Sequence, residues 1–158
     1  MDANIFHDID GQGFRIGIVR ARFNEEITSN LLSSCLEILK KAGVEEENIN
    51  VVEVPGSMEV PYVLTELASR GPYDALIALG AVIEGSTPHF DYISKAVTDA
   101  IRDISVEYKI PVIAGVITTN TREQAVERSS EGPLNRGVEA AHVALEMVQI
   151  RKDRGWRV

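Results

Sequence analysis

The sequence predicts an α/β fold in which helices cover both faces of a parallel β-sheet. Short apolar runs rich in β-branched residues alternate with longer segments whose apolar residues recur every three or four positions. The longer segments can form helices that cross over a sheet, and such crossovers leave successive strands parallel. A chain of 158 residues suits one domain, so we assign residues 1–158 to a single domain with a core at about 14–150.

The first third of the chain predicts a strand, a helix and a second strand. Residues 15–19 form a short β-branched run that is typical of a buried strand. Apolar residues at 25–42 fall on one helical face, with Asn24 suited to cap its start and Gly43 its end. Residues 49–54 form the next β-branched run, and Pro-Gly follows it.

The middle of the chain repeats this alternation. A helix is expected over 59–69, which requires Pro61 to lie in its first turn. Residues 75–82 are strongly apolar and predict a third strand. A loop at 85–88 then leads into a long helix over 89–108.

The last third predicts a fourth strand over 111–118, a short helix over 121–128, a loop over 131–136 and a final helix over 137–151. Ligands of parallel sheets bind beyond the carboxyl ends of the strands. The segments to examine for chemistry are therefore 20–24, 55–59, 83–89 and 119–128.

Charge and cysteine content narrow the functional classes. A formal net charge of −8 argues against a nucleic-acid-binding surface, although it leaves room for a local basic pocket that binds an anionic metabolite. The single cysteine, Cys35, permits no internal disulfide and fits a reducing compartment. No apolar run approaches the ~20 residues of a membrane span, and residues 1–10 lack signal-peptide character. We expect a cytoplasmic protein without a membrane partner.

The segment around Thr87 combines the features of an anion site. Thr87 can cap a helix whose first residue is Pro88, which leaves N–H groups near Ser86 free to bind an anion at the positive end of the helix dipole. His89 would lie beside this site and could transfer protons. The alternative is a capped helix start without a ligand, in which His89 is a surface residue.

Other candidates are aromatic and basic. Phe23 could stack on a planar heterocycle, or it could be a core residue at the helix start. The arginines suited to phosphate are Arg20, Arg22, Arg128 and Arg136. Cys35 is interpreted as a small core residue. No Cys/His cluster has metal spacing, and the chain contains neither GxGxxG nor a P-loop, so we predict no metal and no cofactor.

Five motifs, in order, resemble those of lumazine synthases across about residues 15–147. They are Arg22-Phe23-Asn24, Val54-Pro55-Gly56-Ser57-Met58-Glu59-Val60-Pro61, Gly80-Ala81-Val82-Ile83, Thr87-Pro88-His89-Phe90-Asp91-Tyr92 and Glu123-Gln124-Ala125-Val126-Glu127-Arg128.

The resemblance implies a three-layer flavodoxin-like sandwich with a four-stranded parallel sheet, and an N-terminal segment that adds a strand to a neighbouring subunit. It also implies homopentamers, which in some members form sixty-subunit capsids, and riboflavin synthase as a further partner. The implied reaction, a step of riboflavin biosynthesis, condenses 5-amino-6-(D-ribitylamino)uracil with 3,4-dihydroxy-2-butanone 4-phosphate. Its products are 6,7-dimethyl-8-ribityllumazine, phosphate and water.

The resemblance also implies roles for individual residues. His89 would transfer protons, Phe23 would stack on the pyrimidine, and Arg128 would bind the phosphate from an adjacent subunit. The remaining substrate-binding positions are Asn24, Ser57, Met58, Glu59, Ala81, Val82, Ile83, Ser86, Thr87, Ala114 and Arg136.

The sequence departs from the family pattern at several of these positions. Met58 stands where an aromatic residue or leucine is common, and Ala114 where phenylalanine is common. Two lost aromatic rings would weaken stacking by ~1 kcal/mol each. Glu84 replaces a basic residue beside the phosphate loop, and Gly132 stands where a lysine is common.

The departures at Met58, Ala114 and Glu84 keep a second interpretation open, a relative that binds a lumazine or flavin or builds a capsid, with weak or no turnover. A third interpretation, a signalling receiver domain, requires acidic residues after the first and third strands. The chain has Arg20-Ala21-Arg22 and Ile83-Glu84-Gly85 at those places, which disfavours a receiver.

Overall fold

Four parallel strands form the centre of the molecule, in a computed structural model that describes residues 8–85 and 89–156, without the side chain of His89. The strand order is β2-β1-β3-β4. The strands are β1 Ile16–Ala21, β2 Ile49–Val54, β3 Ala75–Ile83 and β4 Val112–Thr119. All neighbouring strands pair in parallel, which confirms the predicted sheet.

Helices lie on both faces of this sheet, as the sequence predicts. One face is covered by α1 Glu25–Lys41, α4 Arg122–Glu127 and α5 Arg136–Asp153, and the other by α2 Val60–Arg70 and α3 His89–Tyr108. Short 3-10 turns at Glu46–Asn48 and Ser57–Glu59 precede β2 and α2. Pro61 lies in the first turn of α2, where its missing N–H breaks no helical hydrogen bond.

Two apolar clusters, one on each face, form the core. The α1/α5 side includes Ile18, Leu31 and Leu145, and the α2/α3 side includes Leu64 and Ile101. Residues 75–82 of β3 are all buried because helices cover both of its faces. This double burial explains why β3 is a continuous apolar run without alternation.

The first strand extends two residues beyond its predicted end at Val19. Arg20 and Ala21 pair with Glu53 and Val54 of β2, so the strand continues through Ala21. The sequence suggested that the strand ends before Arg20, because a charged residue is rarely buried. Here Arg20 is 5 % exposed, since carboxylates from two other segments surround its guanidinium.

Helix α1 begins after Asn24 and ends before Gly43. Both residues were predicted to cap the helix, and only Gly43 does so. Gly43 has φ +89°, and Val44 N–H donates to Leu39 O, which closes the helix end as expected for glycine. The prediction that the Asn24 side chain caps the helix is wrong. Asn24 occupies the cap position in a left-handed conformation, and its side chain makes no capping hydrogen bond.

Helices α1 and α5 cross closely at Gly137. A Cβ atom placed on Gly137 would lie 2.1 Å from the carbonyl oxygen of Leu31, so only glycine permits this approach. Within 8–85 and 89–156, no helix has the length and apolar character needed to cross a bilayer. The predicted exchange of an N-terminal strand involves residues 1–7, which lie outside the described residues, and it stays a prediction.

Candidate active site

A cavity of about 350 Å³ lies at the carboxyl ends of β1 and β3, where parallel sheets bind ligands. We call it the ring cavity. Its walls come from the segments after β1, after β2 and at the end of β3. The lining residues are Phe23, Gly56, Ser57, Met58, Glu59, Ala81, Val82, Ile83, Gly85, Phe90 and Ile93.

Phe23 presents its ring to this cavity on a fixed backbone. The N–H groups of Arg22 and Phe23 donate to Val54 O and Pro55 O, at 2.8 and 3.0 Å, which continues the pairing between β1 and β2 past the strand ends. The side chain is nevertheless 70 % exposed. This exposure excludes the alternative that Phe23 is a core residue and leaves the ring face available for stacking.

Asn24 joins two walls of the ring cavity. Its backbone is left-handed, with φ 58°, which asparagine tolerates better than most residues. In this conformation its Nδ2 donates a hydrogen bond of 3.0 Å to the carbonyl oxygen of Ala81. The bond fixes the loop after β1 against the end of β3.

The turn Ser57–Glu59 packs closely on β3 through Gly80. Ser57 is only 8 % exposed, and a Cβ atom on Gly80 would lie 2.8 Å from its hydroxyl oxygen. The turn can therefore approach the sheet only because residue 80 lacks a side chain. Met58 and Glu59 remain exposed at the cavity wall.

A second cavity, of about 530 Å³, runs along the free edge of β4 between α3 and α5. We call it the edge groove. It contains Ala114, Arg128 and Arg136, and it shares no lining residue with the ring cavity. The residues predicted to bind one pair of substrates are thus divided between two surfaces of the same chain.

The two arginines of the edge groove differ in their partners. Arg136 N–H donates to Arg128 O at 2.9 Å, which holds both residues in one local unit. The Arg136 guanidinium pairs with Glu139 one turn along α5. The Arg128 side chain, half-buried at the end of α4, makes neither an ion pair nor a hydrogen bond within the described ranges 8–85 and 89–156. Arg128 is therefore the arginine of this groove that is available to an anion.

The sequence matches the model of one known protein family over most of its length. The model of the family "DMRL_synthase: 6,7-dimethyl-8-ribityllumazine synthase" matches residues 13–152. The chain belongs to the lumazine synthase family. Membership implies an enzyme of riboflavin biosynthesis that acts on small-molecule substrates and assembles as an oligomer. Among solved structures, a de novo designed Rossmann fold protein is 15 % identical, over 75 % of this chain and 100 % of that chain. The TM-score between the two structures is 0.39.

Some of the lumazine synthase motif lies beyond the structural description. Ser86, Thr87 and the side chain of His89 are outside the described residues, so their predicted roles stay predictions. Glu84 is described and exposed, and its N–H donates to Thr119 O at 2.9 Å. This bond carries the β3–β4 pairing up to the start of the predicted phosphate loop.

Asn135 positions the edge groove and was missed by the sequence analysis. It is 2 % exposed, and its Oδ1 accepts hydrogen bonds from the N–H groups of Gly137 and Val138 at the start of α5. Its Nδ2 donates to Ser34 Oγ and to the carbonyls of the loop after Arg128. An asparagine directly before a helical segment is a capping signal that could have revealed it.

Arg20 is the one sequence candidate for phosphate that the structure removes. Its guanidinium pairs with Glu25 at 2.5 Å and Glu53 at 2.6 Å, and Nε donates to Thr28 Oγ1. The hydrogen bond from Arg20 holds the pKa of the Glu25 carboxyl below its usual range, with Ser29 adding to the effect. Arg20 is thus a structural cation, unavailable to a ligand.

In the part of the chain that the structure describes, no group of three His, Cys, Asp or Glu residues has an arrangement that could hold a metal ion. Cys35 is buried in α1, and burial raises the pKa of its thiol to about 12. It is therefore a core residue without nucleophilic character at neutral pH.

Proposed function

We propose that the protein condenses 5-amino-6-(D-ribitylamino)uracil with 3,4-dihydroxy-2-butanone 4-phosphate to give 6,7-dimethyl-8-ribityllumazine. The observation that carries the proposal is the convergence of three lumazine synthase motifs on the ring cavity of a chain that matches the family model over 13–152. Phe23 comes from the first motif, Ser57 to Glu59 from the second, and Ala81 to Ile83 from the third.

The ring cavity would bind the uracil. Phe23 offers an exposed aromatic face on a hydrogen-bonded backbone, so stacking requires little reorganisation. Ala81, Val82 and Ile83 supply backbone groups at the end of β3, and the Glu59 carboxylate can accept hydrogen bonds from the ribityl chain or the ring. A fixed ring places the 5-amino group for attack.

The phosphate of the second substrate would be bound by Arg128 of an adjacent subunit. Arg128 lies in the edge groove, separate from the ring cavity of its own chain, and its guanidinium is unpaired within the described ranges. Its planar fork of donors matches phosphate oxygens. Arg136, which Glu139 already pairs, would contribute charge less directly. Ser86 and Thr87 would complete the phosphate site.

Chemistry would follow from positioning and proton transfer. The 5-amino nitrogen attacks the ketone carbon, and loss of water gives an imine. Loss of a proton from the carbon that bears the 3-hydroxyl and departure of phosphate from the next carbon give an enol, which tautomerises to a new ketone. The ribitylamino nitrogen then attacks this ketone, and loss of a second water closes the ring. His89 would move protons at the imine and at the leaving phosphate.

An assay with both purified substrates tests the proposal, with formation of ribityllumazine followed by its absorbance. Arg128→Ala should raise KM for the butanone phosphate more than KM for the uracil. His89→Ala should lower kcat by ~10–10⁴-fold, toward the low end because a bound pair still benefits from proximity. Arg122→Ala, an exposed arginine paired with Glu26 outside both cavities, is the control.

A protein that binds ribityllumazine without forming it would overturn the proposal. That result would support the second candidate function, a lumazine- or flavin-binding relative. Exposed Ala114 favours this candidate, because the edge groove offers no aromatic ring at that position. The two functions differ in turnover alone, so the same assay separates them.

Assembly and location are further parts of the proposal. A homopentamer is the smallest assembly that the family resemblance implies, and sixty-subunit capsids are the larger one. We also propose a cytoplasmic location and riboflavin synthase as the protein that uses the product. Light scattering and electron microscopy of the purified protein test the assembly.

A further inference from the structure

A third cavity, of about 620 Å³, lies at the opposite end of the sheet from the ring cavity. We call it the basal cleft. One wall is residues 71–74, the loop that leads into β3, and the other is the last turns of α5 with Gly155 and Trp156. The cleft shares no lining residue with the ring cavity or the edge groove.

Arg151 brings a buried positive charge to this cleft. It is only 7 % exposed, and its Nη1 donates to the carbonyl oxygen of Asp74 at 2.5 Å. Within 8–85 and 89–156, the Asp74 carbonyl oxygen is the hydrogen-bond acceptor of the Arg151 guanidinium, and no carboxylate lies within 4.0 Å of the Arg151 nitrogens. A guanidinium has five N–H donors, so donors remain for a ligand, while the nearby Asp74 carboxylate, which also lines the cleft, offsets part of the positive charge. Burial lowers the pKa of Arg151, and attraction to the Asp74 carboxylate opposes that shift.

Aromatic side chains line the same cleft. Trp156 is 62 % exposed, yet its backbone is fixed, because its N–H donates to Arg151 O and Gly155 closes α5 with φ +64°. Tyr73 is held by a hydrogen bond of 2.6 Å from Asn50 Nδ2 to its hydroxyl oxygen. Lys152, whose Nζ lies 4.0 Å from the centre of the Phe14 ring, adds a second cation.

We propose that the basal cleft binds a small anion that carries a planar ring, of the nucleoside monophosphate class. The phosphate accepts hydrogen bonds from Arg151 and attraction from Lys152, while the ring stacks on Trp156. The cleft has the volume of a small-molecule site, and it combines apolar walls with a few polar groups, as such sites do. Arginine supplies the fork geometry that phosphate requires.

The fluorescence of Trp156 provides a direct measurement, because it is the single tryptophan of the chain. Adenosine monophosphate titrated into the purified full-length protein should change the emission saturably. Adenosine, which lacks the anion, should not. Ribose 5-phosphate, which lacks the ring, should bind about tenfold more weakly, since stacking of a base contributes at least that factor.

Two variants test the assignment to this cleft. Arg151→Lys keeps the charge but loses the fork, and should weaken adenosine monophosphate binding about tenfold. Arg154→Lys, an exposed neighbour outside the lining, is the matched control and should bind as the wild type does. Circular dichroism shows that each variant is folded.

Several results would overturn the proposal. They are the absence of a saturable change, equal binding of adenosine or ribose 5-phosphate, and equal binding by Arg151→Lys and wild type. Phe23→Ala should leave the titration unchanged, because Phe23 lies at the other end of the sheet. A loss of binding in that variant would assign the nucleotide to the ring cavity instead. The proposed condensation reaction is independent of all these outcomes.

Discussion

The side-chain amide of Asn24 donates a hydrogen bond of 3.0 Å to the carbonyl oxygen of Ala81, and this bond joins two walls of the ring cavity. The neighbour of Asn24 in sequence is Phe23, the proposed stacking residue. Ala81 begins the segment proposed to hold the ring through backbone groups. The bond therefore sets the distance between the stacking face and the backbone that faces it.

Asn24→Gly should impair uracil binding more than stability. Glycine keeps the left-handed backbone but removes the amide, so the free energy of unfolding should fall by only about 0.5–1.5 kcal/mol. KM for the uracil should rise, while KM for the butanone phosphate changes less. Asn24→Asp should raise the uracil KM further, because a carboxylate would face the Ala81 carbonyl. Loss of stability in Asn24→Gly with unchanged kinetics would show that the bond is merely structural.

Phe23→Ala should weaken binding of the uracil substrate by ~1–3 kcal/mol and leave stability nearly intact. The ring is 70 % exposed, so its removal creates no core cavity. Calorimetric titration with the uracil, together with thermal unfolding, measures both effects. Tyr62→Ala is a matched control, because Tyr62 is 71 % exposed and lies outside the ring cavity. Equal affinity of the Phe23→Ala and wild-type proteins would refute stacking.

The sequence predicted the sheet and its helices well because burial produces periodic patterns. Residues 75–82 read as a strand because both of their faces are buried. Arg20 defeated the same reasoning, since its burial depends on Glu53, which is distant in sequence and becomes a neighbour only when β1 pairs with β2. Single-residue patterns contain no information about such partners.

The sequence nominated candidate site residues one by one, but it did not indicate that they divide between two cavities. Motifs identified Phe23 and Arg128, yet nothing in their spacing indicates that they line separate cavities. That separation follows from strand order, because β4 is an edge strand and its groove opens away from β1. The capping role of Asn135 had a signal in the sequence, but its three donor contacts had none, because α1 and the loop after Arg128 meet only in the folded chain.

Gly137→Ala should destabilise the fold by about 1–3 kcal/mol or more, because the added methyl group meets backbone atoms of Leu31, which cannot rotate away. Urea unfolding measures the loss. Gly85→Ala is the matched control, since no atom of residues 8–85 and 89–156, apart from Gly85 and its chain neighbours, lies within 4 Å of a Cβ placed there, and this variant should leave stability unchanged. If Gly137→Ala were as stable as the wild type, the close crossing of α1 and α5 would be incorrect.

The ion pair between Arg20 and Glu25 should make stability depend on pH in the acidic range. The folded pKa of Glu25 lies below its ordinary value of 4.5, so the pair stabilises the fold above that value. Stability is lost as the pH falls through the folded pKa. Glu25→Gln should therefore lower the free energy of unfolding at neutral pH but not in strong acid. Glu37→Gln replaces an exposed glutamate of the same helix, and its effect on the free energy of unfolding should not depend on pH in this way. A Glu25→Gln effect that is the same at neutral and acidic pH would contradict the assignment.

Mixing two defective proteins tests whether one active site takes residues from two subunits. Phe23→Ala damages the ring cavity and Arg128→Ala damages the edge groove, so each homo-oligomer should have low kcat/KM. If the subunits are unfolded together and reassembled, an intact Phe23 can face an intact Arg128 across an interface. Random assembly makes about a quarter of such sites wild-type in both residues. The mixture should therefore recover about a quarter of wild-type kcat/KM above the mean of its parents.

The control for mixing is the double variant Phe23→Ala/Arg128→Ala. Reassembled with either single variant, it should give no site in which both residues are intact, so kcat/KM should not exceed that of the single variant. If each active site instead took Phe23 and Arg128 from the same chain, every site in the mixture of the two single variants would have one defect. The activity of that mixture would then equal the mean of the two parent activities. That result would refute the proposed use of Arg128 from an adjacent subunit. The same result would say nothing about the condensation reaction, which the substrate assay tests. The proposed reaction and the proposed sharing of Arg128 between subunits can therefore be refuted independently.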